Sequence, residues 1–552
     1  MSARAGAQPT AAQFKLWLAY YSQGDLRADY NYDGVLTPLD FSAFLQNYDN
    51  PPGQTSGWTQ LSPSSDSRVY YVSSSQGNDS WSGLSASRPL RTIAAAYDKL
   101  RDGKPDWIKL RSGDYFFEAL PSWKKSGRSK AEPMVLTNYG SSFRRPRIYT
   151  GSTRAMRATG AKPVEHLCFV GLEFTPHERT RNDSPGGIQF IGPHKDILIE
   201  DCQIRGYSDN LLFQGDENGR GSDFRVRRSQ ILDSWAVTQH SQGIYASQID
   251  GLLLEENIFD HNGWKEGIAG AEPTIFNHNI YVQVGVTGLN VRGNIISNAS
   301  SHGIQARSGG QIIGNLFYRN AISLLLGQEG APVTGTIAEN VILAGKDIAP
   351  DLRRGMGIHL QNLSSATIRD NLILRNETDT GLSEAIAFIG DGRNQIRNVV
   401  IERNTIYNWL NNVMIENENI RNITFRNNVV YDSQNERPAV RHRFSSTLDD
   451  ITATGNTYKI TGTNRWFRVQ NTYYTLNQWL NVAEESNPVG FGNRHFFDDN
   501  RTMTRYAQTL LLPPNPTYVI NAARGQNRDI WDEAYSGPKM VDFFRQGYKL
   551  VN

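Results

Sequence analysis

Three side chains in two neighbouring phrases of the chain could carry out proton abstraction beside a carboxylate. Arg307 has a planar, permanently charged fork that can hold a carboxylate bidentately. His278 has an imidazole whose ordinary pKa lies near working pH, so it is the candidate base. Tyr281 is the candidate acid for a departing oxygen. Tyr245 can stack on a sugar ring, while Gln283, His302, Gln305 and His240 can orient substrate groups. The chemistry this set suits is β-elimination on a uronate, where neutralising the carboxylate makes the neighbouring proton acidic. Hydrolysis is the rival and needs two carboxyl groups roughly 5–10 Å apart. Its candidates are Glu266 and Glu272 in the loop before His278, and Asp216 and Glu217 in another loop. The spacing of His240, His278 and His302 is not that of a local metal-ligand motif.

These residues sit on a phrase that keeps returning. An alternating apolar segment ends in Asn, as in Leu252–Asn257, Leu289–Asn294, Thr367–Asn371 and Ile423–Asn428, with Asp196–Asp201 similar. A turn and a second alternating segment follow. The repeat spacing is about 23 to 37 residues, which signals a solenoid, and alternation within each phrase is the strand period. Each repeat therefore reads as one coil of a parallel β-helix. Aligned on a buried Ile, the second segments place Gln189, Tyr245, Tyr281, Gln305 and His359 in one outward column. Ser247, Gln283, Arg307 and Gln361 fall in the next. Because coils stack about 4.8 Å apart, Tyr245, Tyr281, Gln305, Gln283 and Arg307 form one patch provided no coil intervenes. The long loop before His278, carrying Trp264, Lys265, Glu266 and Glu272, is expected to stand above the ladder as a wall.

A chain of 552 residues can bury a large core, and a net charge of +2 gives no reason to expect nucleic-acid binding. No apolar run approaches a membrane span. The plentiful Gly and Asn suit short strands joined by tight turns. Cys168 and Cys202 lie in neighbouring coils at different points of the repeat, which does not favour a disulfide and does not fix a compartment. No signal peptide is recognisable at Met1, so an export signal has been removed or the chain is intracellular.

Residues 1–50 differ from the rest. Thr10 and Gln13 can form a capping box, and Phe14, Trp17, Leu18 and Tyr21 recur at helical spacing. A second helix opens at Thr37-Pro38. Between them, Asp29, Asn31 and Asp33 stand at loop positions 1, 3 and 5, Gly34 at 6, Val35 at 7 and Asp40 at 12, which is the ligand spacing of a calcium loop. The pattern resembles the helix-loop-helix repeat of dockerin-type modules, which commonly use Asp at the last position. Such modules pair two repeats, and the single repeat here argues against a cohesin-type partner. Residues 51–66, rich in Pro, Gly and Ser, read as a linker.

Residues 67–552 then form the solenoid unit. The entry from Val69 through an Ala-rich helix at Thr92–Leu100 resembles the capped start of secreted pectate-lyase-like proteins, which implies a right-handed parallel β-helix and an extracellular or surface setting. Coils are expected from about residue 130 to 470, with an irregular C-terminal cover beyond. The run from Arg292-Gly293-Asn294 to His302-Gly303-Ile304-Gln305-Ala306-Arg307 resembles the central coil of the alginate lyase and chondroitinase B family. That likeness implies a catalytic arginine at Arg307. The family's catalytic lysine is replaced by Gln283, and its acidic calcium ligands have no counterpart. The β-helix mannuronan epimerases share the first proton abstraction. The functional expectation is a polysaccharide lyase acting on a uronate-containing glycan, without an organic cofactor. The alternatives are a glycoside hydrolase on an acidic or sulfated polysaccharide, a uronan epimerase and a non-catalytic glycan-binding scaffold.

The Asp29–Asp40 loop predicts binding of one calcium ion through hard oxygen ligands. Calorimetry should register one bound ion per chain, and Asp33→Ala should abolish it. A chain that takes up no calcium rules the assignment out.

Overall fold

The computed structural model describes residues 21–22, 57–348, 352–375, 383–390, 393–433, 437–443, 448–461, 465–487 and 489–551. The calcium-loop and helix expectations at residues 10–48 fall outside these, except for Tyr21 and Ser22, which are helical as expected. Residues 57–66, at the end of the segment read as a linker, lie against the solenoid. Trp58 is buried with its ring edge-on to Trp531 at 5.4 Å, and the Thr59 N–H and Oγ1 donate to Glu200 at 2.9 and 2.8 Å.

The chain winds into a parallel β-helix whose coils, from Met134–Tyr139 onward, contribute one strand to each of three long sheets. Sheet 1 runs from Val69–Val72 to Ile451–Thr454, sheet 2 from Tyr115–Phe116 to Val489–Gly490, and sheet 3 from Met156–Thr159 to Thr472–Tyr474. Pairing is parallel throughout except for the last strand of sheet 3, which turns back antiparallel. The first coils therefore begin near Val69, ahead of the expected start near residue 130. Inward residues of all three sheets fill one continuous apolar core, including Ile244, Ile280, Ile304 and Ile358 in register. The expected cap is helix α1, Ile93–Lys99, with Thr92 capping through the Ala95 N–H.

The corner between sheets 1 and 2 explains why the first segments end in Asn. A residue with left-handed backbone makes the turn: Glu256 (φ 52), Glu339 (φ 60), Asp370 (φ 56) and Arg403 (φ 54) do so, and Gly293 (φ 66) and Gly314 (φ 65) serve where no side chain is present. The next residue points inward as a buried Asn. Asn257, Asn294, Asn315, Asn340, Asn371, Asn404, Asn428 and Asn456 stack coil upon coil. From Asn294 onward each Oδ1 accepts from both the backbone N–H and Nδ2 of the preceding Asn, at 2.9–3.0 Å for Asn340 on Asn371, while Asn257 Oδ1 accepts from the Ser229 N–H. Each Nδ2 also donates to a backbone carbonyl, such as Asn371 to Ile337 at 2.9 Å. The final acceptor is a carboxylate: Glu485 receives Asn456 Nδ2 at 2.9 Å, Trp479 Nε1 at 2.8 Å and Tyr458 Oη at 3.1 Å. Trp479 belongs to helix α2, Leu476–Val482, and its ring stacks on Phe467 at 4.2 Å, closing the C-terminal end.

Beyond that cap the tail is more ordered than the irregular cover expected. Helices α3 (Met503–Thr509), α4 (Pro516–Gly525) and α5 (Gly537–Gly547) turn back along the outer face of sheet 2. Met503, Val519, Ile520, Met540 and Phe544 pack there on outward residues such as Ile258, Ile295, Leu316 and Leu372. Arg524 anchors the tail through Asp233 at 2.6 Å and through Asp260. Cys168 and Cys202 are both buried thiols and are not bonded to each other. Cys168 faces outward under Leu61 and Val69, whereas Cys202 lies in the core.

Removing one rung of the ladder strands several buried groups. Asn371→Ala leaves the Asn340 N–H and one of the two Asn340 Nδ2 protons without acceptors and removes one donor from the Ile337 carbonyl, so denaturation should show a loss of about 3 kcal/mol or more. The exposed outward Gln311→Ala should stay within about 0.5 kcal/mol of wild type. Equal effects would mean the ladder is dispensable.

Candidate functional site

The outward face of sheet 3 holds the ladder, with two coils more than the sequence alignment had. Strand Asp209–Gln214 places Leu212 between Gln189 and Tyr245, and strand Ile322–Gly327 places Leu325 between Gln305 and His359. Residues 322–326 are buried on both faces and are mostly apolar, so they carry no alternation to read. Gln189 and His359 are thus set apart from the central group. Tyr245, Tyr281 and Gln305 do stand in consecutive rungs.

The central group is compact. The Tyr245 and Tyr281 rings meet edge-on at 5.5 Å. Gln283 Nε2 donates to Tyr281 Oη at 3.1 Å. The backbone N–H groups of Gln283 and Arg307 pair with the preceding coil at Ala246 and Val282, which puts these two side chains in neighbouring rungs. The Arg307 guanidinium lies 5.5 Å from the Tyr281 ring centre. It has no carboxylate in ion-pair range among the described residues. Burial raises the Tyr281 pKa, with Arg307 opposing and Tyr245 reinforcing the shift, so the phenol holds its proton through neutral pH.

His278 differs from the open base expected. Its residue is 3% exposed, its N–H is held by Gln242 Oε1 at 2.8 Å, and its ring packs edge-on to Tyr281 at 5.0 Å. Nδ1 accepts the His302 backbone N–H at 3.3 Å and lies 3.2 Å from His302 Nδ1. Burial first, then Arg307 and His240, pushes its pKa down to about 3, and His302 is likewise held well below its usual value. Burial and the engaged Nδ1 make this ring a weaker proton acceptor than an open imidazole, and its edge supports Tyr281. His302 Nδ1 also lies 3.1 Å from Ser301 Oγ, and Gln305 is buried beside the same column. Gln242, which seats His278, carried no motif and became legible only through the register that pairs it with His278.

The wall loop is pinned by Trp264 Nε1 to the Asn298 carbonyl at 2.9 Å and by the Thr274 N–H to Ser300 Oγ at 2.7 Å. His240 is exposed and stacks on Phe276 at 5.4 Å. The two glutamates are not brought together with Arg307. Glu266 lies 3.0 Å from His261 Nε2 and lines a groove on sheet 2, and Glu272 accepts the Gly270 N–H at 2.9 Å. Asp216 is occupied by its own turn, accepting from Asn218 at 2.8 Å. Among the described residues no group of three His, Cys, Asp or Glu is placed to hold a metal ion, and no helix is long and apolar enough to cross a membrane.

The family model for the right handed beta helix region matches residues 177–334 and 280–458. Together these stretches span more than half of the chain, and the chain belongs to that family. Three solved structures share the fold. A mannuronic acid-specific polysaccharide family 6 lyase from human gut microbiota is 15% identical with a TM-score of 0.42, over 82% of this chain and 98% of its own. The lacto-N-biosidase of family GH136 from Eubacterium ramulus is 16% identical with a TM-score of 0.34, over 76% and 67%. The A-module of a mannuronan C-5 epimerase from Azotobacter vinelandii is 14% identical with a TM-score of 0.40, over 72% and 94%. At these values the likeness is one of fold alone. Comparison with curated proteins finds no match.

The buried histidines make a pH prediction. Unfolded imidazoles titrate near 6.5, whereas folded His278 does so near 3. Between those values the unfolded chain binds more protons, so this contribution is full above 6.5 and is lost on acidification, by up to about 1.4 kcal/mol per pH unit. Asp209, pushed up to about 7 by burial, titrates with the opposite sign. The measurement is therefore a comparison of urea midpoints at about pH 7 and pH 5. His278→Gln should lose less stability on acidification than wild type, and an equal or greater loss would contradict the buried neutral ring.

Proposed function

We propose that the chain cleaves an acidic polysaccharide by β-elimination on the outer face of sheet 3. The observation that carries this reading is Arg307. Outward arginines of sheet 1 sit in columns of alternating sign: Arg227 pairs with Glu200 at 2.7 Å, Arg292 with Glu255 at 2.6 Å, and Arg426 with Glu402 at 2.6 Å. Arg307 stands over Tyr281, one rung from Gln283, with no such partner among the described residues, which suits it to a carboxylate brought by the substrate.

In this reading the uronate carboxylate docks on Arg307 and its charge is neutralised, which makes the adjacent carbon acidic. A base takes that proton, a carbon–carbon double bond forms, and the glycosidic bond breaks with its electron pair passing to the oxygen. Tyr281, protonated and steadied by Gln283, supplies the proton to that oxygen. His240, exposed and near enough to lower the His278 pKa, is the base in place of His278. Tyr245 offers an aromatic edge to the sugar. The hydrolytic alternative is weaker because Glu266 and Glu272 are committed away from Arg307. A flat ladder suits an extended polymer, so we also place the protein outside the cell or at its surface, with the Asp29–Asp40 loop as a calcium-binding appendage.

Arg307→Ala should lower kcat/KM by roughly 100- to 1000-fold, about 3–4 kcal/mol, since its bonds strengthen as the carboxylate becomes enolate-like. Tyr281→Phe should lower kcat, and wild-type activity should fall at alkaline pH as the phenol loses its proton. The readout is ultraviolet absorbance of the unsaturated product from a panel of acidic polysaccharides. Full activity in Arg307→Ala, or products without unsaturation, would discard the reading.

A further inference from the structure

Sheet 2 carries a second feature that elimination on sheet 3 does not use. Its outer face is covered by α3–α5 over the later coils but is open over the first ones, where a groove of about 600 Å³ lies against the other side of the wall loop. The residues at its base are polar: Arg147 pairs with Glu173 at 3.0 Å in adjoining rungs. One end is an aromatic shelf. Tyr149 and His177 stack at 4.7 Å, and Phe117 packs on both while 72% of its surface faces solvent. The other end is formed by Trp264, Lys265 and Glu266.

The charge of the groove is unbalanced. It is lined by five arginines and lysines against three carboxylates, and each carboxylate is already engaged, Glu173 by Arg147, Asp233 by Arg524 and Glu266 by His261. Arg179 is the sharpest case. Its guanidinium lies 3.6 Å from the Trp235 ring centre and donates to the Gly206 and Trp235 carbonyls at 2.6 and 2.5 Å. No carboxylate is within ion-pair range of it among the described residues, and burial pushes its pKa down to about 10. Lys265, exposed at the rim with its ammonium 5.2 Å from Trp235, likewise has no ion-pair partner there.

We propose that this groove is a second glycan site, which takes a short acidic oligosaccharide with a ring on the Phe117 shelf and its anionic group toward Arg179 and Lys265. Exposed aromatic rings suit the apolar faces of sugars, and the Arg147–Glu173 pair offers both donors and acceptors to hydroxyls. A polyphosphate chain would meet the Glu266 carboxylate at the rim, which disfavours nucleic acid. The site faces away from Arg307 and does not depend on the chemistry proposed there.

The test is calorimetry on the full chain carrying Arg307→Ala, so that the sheet 3 patch contributes least. The probes are a size-defined oligouronate, a sulfated oligosaccharide, a neutral glucan oligosaccharide and a single-stranded oligonucleotide. At least one acidic glycan should bind, more weakly as salt is added, and which of the two binds identifies the anionic group. Phe117→Ala and Lys265→Ala, both at exposed positions, should each weaken that binding roughly tenfold with unchanged circular dichroism. Three results overturn the proposal: neither acidic glycan binds; the neutral glucan or the oligonucleotide binds as tightly; or both variants keep wild-type affinity.

Discussion

The buried asparagine ladder is the constraint on which the other features depend. A side-chain amide can bond to the coils above and below only if every coil turns the corner between sheets 1 and 2 at the same point. That fixes the phase of each coil, and with it the columns in which outward residues stack. Tyr245, Tyr281 and Gln305 lie in consecutive rungs because Asn257, Asn294 and Asn315 hold their coils in step. An amide can propagate the chain in both directions because it donates and accepts, whereas a carboxylate can only accept. The ladder accordingly ends where the sequence substitutes Glu485. With one corner fixed, length variation falls on the corner between sheets 2 and 3. There residues 261–277 form a long wall in one coil, and residues 298–301 suffice in the next. The site sits beside the corner that is free to vary.

This division also explains what could be read in the sequence. The period-two pattern, the terminal Asn and the recurring Ile of the second segments revealed the solenoid, because each is a local consequence of a repeated geometry. Strand 322–327 escaped notice because both its faces are buried and alternation vanishes when neither side sees water. The order of the C-terminal tail was equally hidden. Its partner residues, such as Ile295 and Leu316, are spread over many coils, and only the folded register lines them up as one apolar strip. At the site, the adjacency of Arg307 and Tyr281 was legible from spacing, but the burial of His278 was not. Burial is set by Gln242 and His302 from neighbouring coils and by the wall loop, and no local motif records it.

Electrostatics separates the faces of the solenoid. In sheet 1, Glu200, Arg227, Glu255 and Arg292 occupy successive rungs, so each charge meets its opposite about 4.8 Å away. Such a column neutralises itself and has little left with which to bind an ion. Sheet 3 breaks the pattern with uncharged rungs around Arg307 and with histidines that burial keeps neutral. A neutral imidazole column beside a single guanidinium leaves its field uncancelled where an anionic group would dock. The same burial that lowers the proton affinity of His278 therefore leaves Arg307 as the one cation of this patch among the described residues.

The outer face of sheet 2 completes the logic. One of its columns runs Arg147, Glu173, Gln203 and Gln230, then changes to Ile258, Ile295, Leu316, Val341 and Leu372. An apolar strip of that length would be an adhesive surface if left open, and α3–α5 cover it. Covering the polar coils would instead have buried Arg147 and Glu173 under helices with nothing to solvate them. Arg524 marks the boundary, reaching Asp233 and Asp260 where the column changes character. The tail stops burying sheet 2 at the point where its composition stops rewarding burial, and so the first coils keep an open polar face while the later ones gain a second core.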